Sequence, residues 1–274
     1  MALEFYKRRF RMPSKKMQYI LAFTALLLAM TLAFSWMLIR HKMDEMPGGT
    51  SSEDSSSIVS SVTYTAEDEA HLLLIVEQAD SARFILVHAD PANRAIRVTA
   101  VPENALTVDG LSLTALYLKH GAAYVVNRLA TLTDQPLRHY AALTRADAEN
   151  WFARLGNDLV LTLDDEIIIT TENGTQTTMT ASEHTLSAPQ TTALLCHPTA
   201  SEELRGNIIV TMLRQYLHGG RNLSADFAYL ANMARTDLRI GDFTGYRDRL
   251  DYLAEQNANG SCTIAIQAFT DMID

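Results

Sequence analysis

Few residues in this chain combine type and spacing in a way that does recognised chemistry. Its eight histidines never fall at a metal-ligand spacing along the sequence, so each reads as a solvated or hydrogen-bonded side chain, and no metal site is expected from them. There is no GxGxxG after a strand, no GxxxxGK[ST], no GxSxG and no HExxH. Asp164-Asp165-Glu166 carries enough carboxylate oxygen to hold a cation, but an acidic run at the end of an apolar stretch fits a solvated edge or loop better. Cys196 and Cys262 are the only cysteines. They exclude a disulfide-dense scaffold, and spacing leaves their pairing open.

Whatever positions a site in this chain does so outside a membrane. The 274 residues carry 23 Lys and Arg against 32 Asp and Glu, a formal net charge of −9. That average hides three regions. Residues 1–16 hold Lys7, Arg8, Arg9, Arg11, Lys15 and Lys16 against Glu4, or +5. Residues 17–39 carry no charge, and residues 40–274 hold −14. The 23-residue run from Met17 to Ile39 reaches about 35 Å as a helix, enough to span a hydrocarbon core. Basic residues before it and Asp44-Glu45 after it place the N-terminus in the cytoplasm and the rest outside. Residues 47–61 contain seven serines and read as a spacer. The expected organisation is a basic tail (1–16), a transmembrane helix (17–39), a Ser-rich linker (40–61) and one folded domain (62–274). The basic tail fits lipid headgroups, and the acidic remainder argues against a nucleic-acid partner.

The domain reads as α/β, a central mixed sheet flanked by helices. Leu72–Val76 is wholly apolar, as in a strand buried on both faces. Residues 83–89 and 95–101 flank Asp90-Pro91-Ala92-Asn93, a strand–turn–strand pattern. Residues 111–132 have helical spacing with a possible break at Gly121. A strand is expected at 139–143, followed by a helix capped by Thr144 and stopped by Gly156. Residues 158–171 read as one strand, Asn173-Gly174 as a hairpin turn, and 176–179 as the returning strand. Helices at 187–195, 201–218, 224–234 and 243–256 precede a closing strand at 262–269.

Five stretches, taken in order, carry a family resemblance: Leu72-Leu-Leu-Ile-Val76, the run from Phe84 to Pro102, His139-Tyr140 with Trp151-Phe152-Ala-Arg-Leu-Gly156, Leu186-Ser-Ala-Pro-Gln-Thr-Thr-Ala-Leu-Leu195, and Arg235-Thr236-Asp237-Leu238. With the basic tail, membrane helix and spacer, this pattern resembles the LytR–CpsA–Psr family of bacterial cell-envelope proteins over roughly residues 70–256. The resemblance implies an α/β fold and transfer of a glycopolymer from a polyprenyl-pyrophosphate carrier to peptidoglycan. In that chemistry arginines hold the pyrophosphate and a carboxylate holds Mg²⁺.

The chain departs from the family at those places. Asp80-Ser81-Ala82 stands where an Arg-Ser/Thr-Asp motif is expected, and Pro102-Glu103-Asn104 where Pro-Arg-Asp is expected. Cys196-His197-Pro198 replaces an Arg-x-Arg, and Arg205 alone matches a family arginine, with Arg214 as a rival register. Glu103 would set negative charge against a pyrophosphate. Arg83 reads as a strand residue facing solvent, with partial compensation for the lost arginines as its other role. The substrate-binding candidates are therefore Asp80, Arg83, Glu103 and Arg205. The expected function is a catalytically degenerate binding or regulatory module in envelope assembly, with a polyprenyl-linked glycan or cell-wall polymer as partner and no cofactor. The competing reading is a divergent active transferase that uses Mg²⁺, and a third keeps only a single-pass surface protein with an α/β domain.

Overall fold

The computed structural model describes residues 63–103, 105, 110–156, 158–218 and 223–273. The tail, the apolar run at 17–39 and the linker lie outside the described residues, as does Asn104. Among the described residues no helix is long and apolar enough to cross a membrane.

A six-stranded mixed sheet organises the domain. Its strands are β1 (Ala70–Glu77), β2 (Ala82–Asp90), β3 (Ala95–Val101), β4 (His139–Thr144), β9 (Arg235–Thr236) and β10 (Thr263–Ile266), in the order β10-β3-β2-β1-β4-β9. β1, β2 and β3 form an antiparallel meander, while β4 joins β1 and β10 joins β3 in parallel. The central strands are apolar on both faces, so helices must cover both. On one face α1 (Leu113–His120) and α2 (Ala122–Thr133) pack Leu116, Val125 and Leu129 on Leu73, Ile75, Phe84 and Leu86. On the other, α3 (Arg145–Leu155), α4 (Ala188–Leu195), α5 (Glu202–His218), α6 (Leu223–Met233) and α7 (Ile240–Ala258) surround Leu74, Val76, Ile85 and Val98.

Local chemistry sets the joints. Gly121 divides α1 from α2 at φ +81°, a conformation that costs a residue with a Cβ. Thr144 ends β4 and caps α3, its hydroxyl accepting from the Asp147 amide at 3.2 Å, an arrangement worth about 1 kcal/mol. Ser187 and Gln190 form a capping box around Pro189 at the start of α4.

Residues 158–171 do not form the single expected strand. They divide into β5 (Leu159–Thr162), which pairs with β8 (Glu183–Leu186), and β6 (Ile167–Thr170), which pairs with β7 (Gln176–Met179) across the Asn173-Gly174 turn. Asp164, Asp165 and Glu166 are exposed between β5 and β6, where charge is solvated more cheaply than in a ladder. The cysteines do not pair. Cys196 is buried, Cys262 is half-buried, and both are free thiols.

Candidate functional site

Arg83 does not face solvent. It lies on β2 with 3% of its surface exposed, on the same face as Ile85, Val87 and Ala89, toward α3–α7. Its Nη2 donates to the carbonyl of Cys196 at 3.0 Å. Arg205, in the first turns of α5 and 4% exposed, donates from Nη2 to the carbonyl of His197 at 2.9 Å and from Nε to that of Leu195 at 3.3 Å. Gln78 Nε2 also reaches the Cys196 carbonyl, at 2.9 Å. Three side chains thus converge on the C-terminal end of α4, where helix carbonyls lack intrahelical partners and the dipole is negative. The arginines clamp a helix end that faces inward.

Each clamp has its own counter-ion. Arg83 pairs with Glu103, in the turn after β3, which the Thr114 amide fixes to the start of α1 by donating to the Glu103 carbonyl at 3.1 Å. Arg205 pairs with Glu202 one turn back at 3.4 Å. Burial, and then the neighbouring Arg205 guanidinium, press the Arg83 pKa down, while both groups stay charged. The thiol of Cys196 is pushed up by the same burial, which makes it a poor nucleophile. The structure therefore joins Arg83, Glu103 and the helix end held by Arg205. It leaves Asp80 apart, exposed on the rim of a cleft.

That cleft, of about 840 Å³, lies beside the clamp and is lined by Gln78, Asp80, Ser81, Arg145, Glu172 and His197 among others. Asp80 and Glu172 give it acidic walls, Glu77 is paired with Arg235, and among the described residues Arg145 is the one arginine or lysine on its lining. Arg145 itself donates to the Thr170 carbonyl at 2.6 Å and lies 3.9 Å from Glu149. A pyrophosphate entering here would meet more carboxylates than guanidinium groups, the reverse of what a bidentate phosphate site requires.

A second feature lies on the same sheet face, about 13 Å along β2 from Arg83 at Val87. It is an apolar slot of about 110 Å³, with Leu72, Leu74, Val87 and Ala89 as floor and Trp151, Phe227, Leu230 and Tyr246 among its walls. Its size admits a short apolar segment. Ile85 and Val76, both fully buried, fill the sheet face between slot and clamp.

The histidines are not all isolated. His71 on β1 and His88 on β2 are direct register partners, and their rings stack at 4.1 Å and 14°. Glu69 places Oε2 3.1 Å from His88 Nε2 and 3.6 Å from His71 Nε2. Spacing along the chain misses this pair because sheet register makes it. The signal was in the Gln78–Ser81 turn, closed by a 2.9 Å bond. Seven steps back from Gln78 and seven forward from Ser81 arrive at His71 and His88.

No family model and no curated protein matches the chain. Solved structures do, at the level of fold. A protein from Eubacterium siraeum described as a candidate transcription regulator superposes with a TM-score of 0.67 at 16% identity, over 81% of this chain and 89% of its own. TagV of B. subtilis superposes with a TM-score of 0.56 at 13% identity, over 73% and 84%. TagT bound to a ligand named LIIa-WTA does so with a TM-score of 0.53 at 15% identity, over 80% and 87%. The chain shares the mixed α/β fold of these proteins.

Proposed function

We propose that this chain is a membrane-anchored, extracytoplasmic member of the LytR–CpsA–Psr family whose transferase chemistry is lost, and that it acts as a binding module in envelope assembly. One observation carries the reading. Arg83 and Arg205, the arginines nearest to where the family resemblance calls for a phosphate clamp, are turned onto the carbonyls of residues 195–197 and neutralised by Glu103 and Glu202. A guanidinium in that position cannot also form the fork that a pyrophosphate needs. The fold shared with TagV and TagT supports the family assignment, and the LIIa-WTA ligand of TagT supports a cell-wall polymer as partner. The tail and apolar run at 1–39 supply the anchor, with residues 62–274 outside the cell membrane.

If Mg²⁺ is held, Asp80 and Glu172 are the exposed carboxylates on the cleft that would hold it, and the metal would offset phosphate charge. Arg145 on the same lining sets a fixed positive charge against such an ion, which makes the fit poor. The apolar slot is what remains for a substrate-like chain: it takes a segment of prenyl tail while the acidic cleft leaves the pyrophosphate unheld. The test is binding of a fluorescent short-chain prenyl alcohol to the full chain in detergent micelles. Saturable binding that Ala89→Trp, which fills the slot, weakens at least about tenfold is expected, because Trp takes the volume the chain would occupy. Equal binding by both proteins would remove the slot from the account.

A further inference from the structure

The cluster of Glu69, His71 and His88 belongs to neither the clamp nor the slot. His71 is 3% exposed, and neither ring nitrogen has a hydrogen-bond partner. A buried imidazole left in that state costs free energy that a single water or metal ion would recover. The ligand atoms of Glu69, His71 and His88 all lie within 4.8 Å of one another. Tetrahedral zinc with bonds near 2.1 Å sets its ligands about 3.4 Å apart. The two Glu69 separations, 3.1 and 3.6 Å, straddle that edge. Glu69 and His71 also line a cleft of about 540 Å³ shared with Arg138, His139, Asp242 and Arg249, which gives an ion an entry path.

We propose that Glu69, His71 and His88 form a site for a borderline divalent ion of the Zn²⁺ class, gated by Arg97. Two imidazoles and one carboxylate are a zinc donor set, and three protein ligands leave a fourth position for water. The gate follows from proton bookkeeping. Arg97 Nη1 lies 3.3 Å from His88 Nδ1 and can only donate, so it holds His88 in the tautomer whose Nε2–H points at Glu69. A metal needs that Nε2 bare and the proton on Nδ1. Loading therefore requires Arg97 to release Nδ1, and the Asp90 carboxylate, 3.6 Å from Arg97 Nη2 and 1% exposed, is placed to receive it. It also requires the two stacked rings to splay so that both lone pairs meet one ion.

The experiment is titration of the full chain in detergent with Zn²⁺ against a chromophoric chelator, with Co²⁺ absorption as a second readout. The expected result is one equivalent bound, with a tetrahedral Co²⁺ spectrum. Glu69→Gln, a partly exposed and isosteric change, weakens Zn²⁺ binding about 10- to 100-fold while leaving the metal-free melting temperature in place. Arg97→Gln tightens it about tenfold by removing the competing tautomer. Absence of saturable binding, or binding that Glu69→Gln leaves unchanged, overturns the site. Affinity unmoved by Arg97→Gln overturns the gate.

Discussion

Arg205→Ala is expected to lower the unfolding free energy by about 4 kcal/mol. The side chain is 4% exposed and donates two bonds to the carbonyls of Leu195 and His197. Hydrogen bonds from a charged donor are worth about 1.5–3 kcal/mol each, and truncation also leaves two polar acceptors facing a void. Glu202, about half exposed, returns to water at little cost, so the ion pair adds little to the loss. For a domain of this size the melting temperature should fall by about 8–16 °C. Arg205→Lys should recover less than half, because an ammonium cannot reproduce the two-armed geometry. A catalytic arginine waiting for a ligand would behave otherwise. Its removal would leave the melting temperature within a degree or two, and that outcome would show that Arg205 is not a clamp.

The pair Arg83 and Glu103 should give the second large effect, with a distinctive pattern. Glu103→Ala strands a guanidinium that is 3% exposed and is expected to cost about 3 kcal/mol. Arg83→Ala, which leaves a carboxylate with access to water, should cost about 2 kcal/mol, mostly the lost bond to the Cys196 carbonyl. The double replacement Arg83→Ala with Glu103→Ala should cost about 3 kcal/mol, less than the two single losses added, since removing both partners strands no unpaired charge. Equilibrium denaturation of the three variants measures the coupling, expected at about 1–3 kcal/mol. Additive losses would mean that Glu103 does not hold Arg83.

What the sequence made legible was local. Thr144 caps its helix, Gly121 breaks one, and Asn173-Gly174 turns a hairpin, because each outcome depends on a few neighbouring residues. The strand at 158–171 failed as a single element because two different partners claim its halves, and no local pattern encodes a partner. β8 and β9 escaped for the same reason: Glu183–Leu186 is polar on its exposed face, and Arg235–Thr236 is a strand only by virtue of β4. The candidate site divides along the same line. Arg83, Glu103 and Arg205 were legible as residues worth watching. Their burial against the end of α4 was not, since alternation along β2 says which residues share a face but not what covers it. The imidazole stack required register, which the turn at Gln78–Ser81 fixes.

The charge balance takes on a narrower meaning in this structure. Net −9 matters less than where guanidinium groups point, and here two of them point into the protein and leave Asp80 and Glu172 on the neighbouring cleft. The measurement that bears on this most directly is release of polyprenyl phosphate from a polyprenyl-pyrophosphate-linked glycan by the full chain, with Mg²⁺ and peptidoglycan present. The account predicts no release above that of the metal ion alone. Steady, Mg²⁺-dependent release with transfer of the glycan to peptidoglycan would contradict it.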